Sequence, residues 1–358
     1  MRVGHFGNWG VGLSDDEAYP FALSDGPGSP ESENLNFGLN LCSELSPYWH
    51  LAIQASLVVE RGAGDAELDF AYLTWRLRDA LQLHGGKIRM PIGVYAEVFD
   101  IGTLRPFYTL PQSVYGPTDL VAESMVGVGI SGDTMLKQDW DVVYDLFYGD
   151  LKLEEGVIFR YLEGENPREE QPDVTEQSIE HALGGRVVFI HRENGLRLGF
   201  SAYTGDAEAG PAEIPGSWGD RRSWILHGQW EAHRWQATSE IGWHEDLGEV
   251  GYRGAYAEVA YRLSPLWQLA LRGELGDASG PNADFLEDSG LGSFTEHREW
   301  AVGVNAWVNP SMVFKLSHHR IRGNLLYHPK PQEILAVVDQ GILESSTEQT
   351  IFGIQYSF

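Results

Sequence analysis

The chain has 358 residues, with 25 Lys plus Arg against 52 Asp plus Glu, a net charge of −27. That balance excludes non-specific nucleic-acid binding, which needs a basic surface, and a hydrophobic content of 42% excludes global disorder. A lone cysteine, Cys42, excludes an intramolecular disulfide and any multi-cysteine metal site, and no apolar run reaches the ~18 residues of a transmembrane helix. Glycine is frequent, 42 residues, beside 12 Trp, 15 Tyr and 15 Phe, a composition that points to an all-β barrel.

Met1 is followed almost at once by strand-like sequence, with no basic stretch or apolar core of a signal peptide. Taken plainly that means cytoplasm; taken with the patterns below, the expectation is a mature chain whose signal peptide has been removed. Apolar and polar residues then alternate along the chain, one face apolar and the other polar. Leu35, Phe37, Leu39 and Leu41 interleave with Asn36, Gly38 and Asn40, and Trp49, Leu51, Ile53, Ala55, Leu57 and Val59 form the next row. Trp140 to Tyr148, Leu196 to Ala202, Trp267 to Leu275 and Met312 to Leu316 repeat the pattern. The chain ends on Phe352, Ile354, Tyr356 and Phe358, alternating with Gly353, Gln355 and Ser357. A weak alternating signal sustained over a whole chain is that of a transmembrane barrel.

Short connections carry tight-turn residues, among them Ser46-Pro47, Glu193-Asn194-Gly195, Ala232-His233, Ser264-Pro265 and Asn309-Pro310. Long acidic ones, rich in Gly or Pro, fall near 13–32, 91–119, 150–179, 205–220, 277–296 and 321–347. The two kinds largely alternate, as in up-and-down hairpins with short periplasmic turns and long outer loops. Strand starts are expected near residues 2, 33, 48, 66, 83, 120, 139, 180, 195, 221, 233, 251, 266, 297, 311 and 348, about sixteen in one domain, with 150–163 extending a hairpin above the membrane. Trp49, Trp235, Trp267 and Trp307, near strand ends, suit an interfacial girdle, although any one could be an ordinary sheet aromatic.

The polar face carries Lys87, Arg89, Arg197, Glu240, Glu258, Arg272, Glu274 and Lys315. A cation in lipid costs ~2–4 kcal/mol near the midplane, so the expectation turns Lys87 and Arg89 inward and gives Ile88 and Met90 to lipid. Sixteen strands enclose more space than side chains fill, so these charges can stay solvated. Residues 91–118 differ from the other long connections: Pro91, Pro106, Pro111 and Pro117 prevent regular pairing, yet the segment is rich in aromatics. Such a loop should pack against something, and the barrel interior is the natural place; a surface or subunit-contact loop is the other reading.

The terminal Phe358 with its alternating row resembles the closing strand of bacterial outer-membrane β-barrels; a terminal strand of a soluble sandwich has the same pattern. The stretch Gly86-Lys87-Ile88-Arg89-Met90-Pro91-Ile92-Gly93, through Arg105-Pro106-Phe107 to Leu110-Pro111-Gln112-Ser113-Val114-Tyr115-Gly116, resembles porin-like outer-membrane proteins of Gram-negative bacteria. That resemblance implies a transmembrane antiparallel up-and-down β-barrel with an inward-folded constriction loop at about 91–119. It implies a multi-pass outer-membrane protein, commonly a homotrimer, in contact with lipid and lipopolysaccharide. Small hydrophilic solutes or ions would diffuse passively through it, with no cofactor. Carried over, it places Glu97, Asp100 and Arg105 at the narrowest point, with Lys87 and Arg89 approaching from the wall. Each of these charges could equally be solvated or locally paired, Asp100 with Arg105 for example. A substrate-specific channel, for instance for anions, using Lys87, Arg89, Arg272 and Lys315 as a ladder is the alternative. A soluble secreted β-rich binding protein is the second.

Acidic runs at Asp15-Asp16-Glu17, Glu31 to Glu33, Glu154-Glu155, Glu163 to Glu170 and Glu287-Asp288 read as solvated outer loops. Divalent cations bridging them to lipopolysaccharide are the functional alternative, though no calcium-loop spacing names a metal site. No phosphate loop, G-x-S-x-G or H-E-x-x-H occurs, and His244-Glu245 lacks a second histidine. Ser317 and His319 share a strand face without an evident third group, so no catalytic residues are expected.

Overall fold

Strands with one apolar face can hide their backbone polar groups in a membrane only by closing into a ring, and the chain does so. The computed structural model describes residues 2–14, 31–60, 63–118, 120–137, 139–156, 174–208, 219–246, 250–326 and 345–358. Sixteen antiparallel strands follow one another: β1 (Arg2–Ser14), β2 (Glu31–Ser46), β3 (Trp49–Glu60), β4 (Ala63–Arg78), β5 (Leu81–Arg89), β6 (Ser124–Lys137), β7 (Trp140–Gly156) and β8 (Val174–His191). The second half is β9 (Leu196–Glu208), β10 (Gly219–Ala232), β11 (Trp235–Asp246), β12 (Val250–Arg262), β13 (Trp267–Ser279), β14 (Glu296–Asn309), β15 (Met312–Arg322) and β16 (Ser346–Ser357). Each pairs with its chain neighbours, and β1 pairs with β16 to close the barrel. All sixteen expected strands are present; the largest offset is at β8, which starts at Val174 rather than near 180. Extended β7 and β8 continue their pairing outward as far as Gly156 and Val174. The acidic runs at Asp15–Glu17 and Glu163–Glu170 lie outside the described residues. No described helix is long and apolar enough to cross a membrane, which says nothing about strands.

The closure is anchored at the last residue. Phe358 and His5 exchange backbone hydrogen bonds of 2.8 and 3.0 Å, and their rings stack at 5.1 Å. At the short-turn end the Ser46 hydroxyl accepts from the amides of Tyr48 and Trp49, both at 3.2 Å, and Ser264 does the same for Leu266 and Trp267. Aromatics gather there, Trp49 against Trp75 at 5.7 Å and Trp235 against Tyr261 at 4.5 Å.

Along β13 the two faces separate cleanly. Leu269, Leu271 and Leu275 project outward and exposed, while Gln268, Arg272 and Glu274 point inward and buried. The same holds for Val302 and Val304 against Glu299 and Asn305 on β14. An outward apolar band of this kind is stable only against hydrocarbon. Leu271→Arg is therefore expected to destabilise the folded barrel by about 2–4 kcal/mol. Equilibrium urea unfolding in lipid vesicles checks this, with a Phe285→Arg change, on the exposed side of the short helix Pro281–Asp288 between β13 and β14, as the control.

One sequence expectation is reversed. Ile88 and Met90 lie inside, buried, packed in a cluster with Tyr95, Val114 and Met125. Lys87 takes the outward face, which it shares with its cross-strand partner Val126. Parity alone holds only where the interior is water throughout, whereas here the interior offers an apolar surface built by the loop after β5. Pairing of β5 with β4 stops at Lys87, so the upper edge of β4 is left open. Lys87 Nζ caps that edge, donating to the Leu68 carbonyl at 2.6 Å.

Candidate pore and its inward-folded loop

The chain leaves the wall at Arg89 and rejoins it at Ser124. Between them lie two 3-10 turns, Ala96–Val98 and Gly102–Leu104, and the short helix α1 (Gln112–Tyr115), which Pro111 precedes. A loop folded into a barrel must find partners for its backbone groups, and inward side chains of the wall supply them. Ser201 accepts from the Gly93 amide at 3.1 Å, Glu240 from Val94 at 2.9 Å and Glu274 from Ser113 at 2.8 Å. Tyr252 donates to the Ser113 carbonyl at 2.7 Å. Asn305 donates to Pro106 at 2.8 Å, Gln355 to Tyr108 at 3.3 Å and Arg272 to Thr109 at 3.0 Å. Side chains of the loop join in: Tyr115 donates to Glu240 at 2.6 Å, and Tyr95 donates to Glu258. Close approach is possible because the wall is bare at the contact: a Cβ on Gly254 would overlap the Ser113 carbonyl, and one on Gly353 would overlap the Tyr108 ring.

Lys315, expected in the water-filled lumen, is instead buried beneath this loop. Its ammonium donates to the carbonyls of Gly102, Arg105 and Phe107 at 2.7, 2.6 and 3.0 Å. Arg272 is buried likewise, stacked 4.6 Å from the Phe107 ring centre and 2.8 Å from Glu274. Arg105 donates to the carbonyls of Phe99 and Tyr108, within its own loop. Four of the seven expected lumenal residues, Lys87, Arg105, Arg272 and Lys315, thus have other partners than a solute. The reason is common to them: a backbone carbonyl left out of the ladder needs a donor, and these cations are the donors within reach.

The remaining three gather with residues the sequence left unmarked. Asp100 is held from β1, β2 and β3: Asn8 donates to its carbonyl at 2.9 Å, Asn36 to Oδ1 at 3.4 Å and Gln54 to Oδ2 at 2.7 Å. Burial, and after it the Asp69 carboxylate, pushes the Asp100 carboxyl above its usual range. An acid whose pKa is raised by folding weakens the fold as pH rises through that raised value. Asp100→Asn, which keeps an oxygen for Gln54, is therefore expected to be at least as stable as the parent at neutral pH. The difference should vanish as pH falls and the parent carboxyl takes its proton; thermal melts across that pH range check it.

Facing Asp100's loop from β5, β7 and β8 stands a half-buried charged group. Arg89 lies 4.1 Å from the Phe70 ring centre, donates to Gln54 at 2.7 Å and donates to the Glu97 carbonyl. The Glu97 carboxylate accepts from Arg186 at 2.6 Å, and Arg186 also grips Asp145 at 2.8 Å. The Glu97 side chain is 46% exposed, open to water. Arg186 and Asp145 escaped the sequence reading, although inward parity on β8 after Gly184-Gly185 was available as a signal.

Ser317 and His319 acquire a third member after all. Ser317 Oγ lies 2.7 Å from His319 Nε2, and His319 Nδ1 lies 2.7 Å from Glu299 Oε1. All three are buried, with Phe107 against the imidazole. Glu299 was missed because its contribution crosses from β14 to β15.

No family model and no curated protein matches the chain. Solved structures do. An anion-selective porin from Comamonas acidovorans aligns with a TM-score of 0.62 at 10% identity, over 100% of this chain and 99% of that one. The outer-membrane channel DcaP of Acinetobacter baumannii gives 0.60 at 7% identity, over 100% and 96%. OmpT, an outer-membrane protein of Vibrio cholerae in its trimer form, gives 0.57 at 10%, over 100% and 99%. At such identities the likeness is one of fold alone, and the fold it establishes, end to end, is the closed sixteen-stranded barrel of outer-membrane porins.

Proposed function

We propose that this chain is an outer-membrane porin, a passive conduit for small hydrophilic solutes or ions, with no cofactor and no bond-making step. One observation carries the reading: a closed ring, apolar outside, surrounds a loop fastened to β1–β3 and β9–β16, while on the remaining side Arg89 is half-buried, Glu97 is open to water, and Arg186 and Asp145 stand paired behind Glu97. The loop narrows the passage, and these four charges select what passes. The outward leucines and valines weigh against a soluble binding protein. The burial of Arg272 and Lys315 weighs against a basic ladder specific for anions, although one structural relative is an anion-selective porin.

Reconstitution into planar bilayers tests this. Discrete conductance steps, roughly linear in salt and not saturated by one solute, are expected; a folded barrel without steps overturns the reading. By the same proposal the protein resides in the outer membrane after removal of a signal peptide, in contact with lipid and lipopolysaccharide. It assembles as a homotrimer, as one relative does in its trimer form. A folded species of monomer mass in unheated detergent samples would remove the trimer.

A further inference from the structure

We propose that Glu274, His297 and Glu299 form a binding site for one divalent first-row transition metal. The three lie on the inner faces of β13 and β14, all at 5% exposure or less. Their candidate ligand atoms all fall within 4.8 Å of one another, and His297 Nε2 is 3.7 Å from Glu299 Oε2. Ligand atoms about 2.0–2.2 Å from a shared metal stand roughly 3–4 Å apart, so small side-chain shifts close the site.

Two independent features call for a cation. Glu274 and Glu299 are direct cross-strand partners, carboxylate opposite carboxylate, an arrangement that destabilises a sheet unless positive charge lies between. Both nitrogens of the His297 ring, which has no exposure, lack a hydrogen bond among the described residues, and so does Glu299 Oε2. A buried imidazole with neither nitrogen satisfied is costly, and metal ligation satisfies one. Arg272 competes, 2.8 Å from Glu274 and 3.6 Å from Glu299, but its guanidinium is also held by Thr109 and Phe107. One guanidinium against two carboxylates leaves a negative charge over. His319 fixes Glu299 through its other oxygen, as the outer partners of metal-bound carboxylates do. One imidazole with two carboxylates suits zinc, cobalt or manganese and disfavours calcium and magnesium, which take oxygen alone.

The probes are Zn2+ and Co2+, added to the detergent-folded full chain, with folding verified by the shift between unheated and boiled gel samples. One Zn2+ per chain is expected, undisturbed by excess Ca2+. His297→Ala should weaken it at least about 100-fold and His319→Ala about 10–100-fold, while His318→Ala, on the outer face of β15, should leave it unchanged. Undiminished binding by folded His297→Ala, or no stoichiometric Zn2+ in the parent, overturns the site. Should His297→Ala fail to fold, X-ray absorption of the Zn2+-loaded parent decides. One imidazole with carboxylate oxygens supports the assignment; several imidazoles, or oxygen alone, defeat it.

Discussion

Replacing Lys315 with methionine is expected to raise single-channel conductance and lower thermal stability together. The side chain keeps its length and loses three donated hydrogen bonds, to Gly102, Arg105 and Phe107. A buried carbonyl left without a donor costs about 1–3 kcal/mol. Three of them exceed what the loop's apolar contacts to β14–β16 can hold, so the segment should leave the wall and admit water. That relaxation keeps the measured loss near the low end of the sum, about 3 kcal/mol. Gln355→Leu, which removes a single bond to Tyr108, should show a smaller change of the same sign. Current through bilayers and the temperature at which the folded gel band disappears read both effects. An unchanged pore in a destabilised Lys315→Met barrel would mean that Lys315 does not set the loop's position.

Arg186→Ala should move ion selectivity toward cations. Among the described residues Arg186 alone pairs with the Glu97 carboxylate, and it also neutralises Asp145. Without it two carboxylates face the lumen unpaired, and Glu97 is already open to water. Each ~1.4 kcal/mol of added attraction is tenfold in relative occupancy. At the effective dielectric of a hydrated site one charge at contact distance supplies energy of that order. A severalfold rise in the cation-to-anion permeability ratio is therefore expected, read as the reversal potential across a salt gradient. Glu97→Gln alone should shift it the other way, because Arg186 then keeps only Asp145. High salt should shrink both shifts.

Strand number, order and the direction of almost every row were legible, because period-two alternation survives wherever one face meets lipid. Leu269, Leu271 and Leu275 say the same thing in sequence and in space. Legibility failed where the interior ceased to be water. Ile88 and Met90 read as lipid-facing because nothing local announces that residues 90–123 return to cover them. The charges read as a set divided for the same reason: Lys315 meets carbonyls 208 to 213 residues away in chain and Arg272 one 163 residues away, all adjacent in the ring, whereas Arg89 and Glu97 do not lose their water. Glu299 joined His319 through strand pairing, which no single segment encodes.

The wall grips mostly the main chain of its inner loop: the amides of Gly93, Val94 and Ser113, and the carbonyls of Asp100, Gly102, Arg105, Phe107, Tyr108 and Thr109. Main-chain atoms are common to every residue type. Mooring and permeation preference are therefore written in separate positions, and descendants of this barrel could exchange the side chain at Glu97 for another without unfastening what carries it. Drift in diet need not disturb the hull.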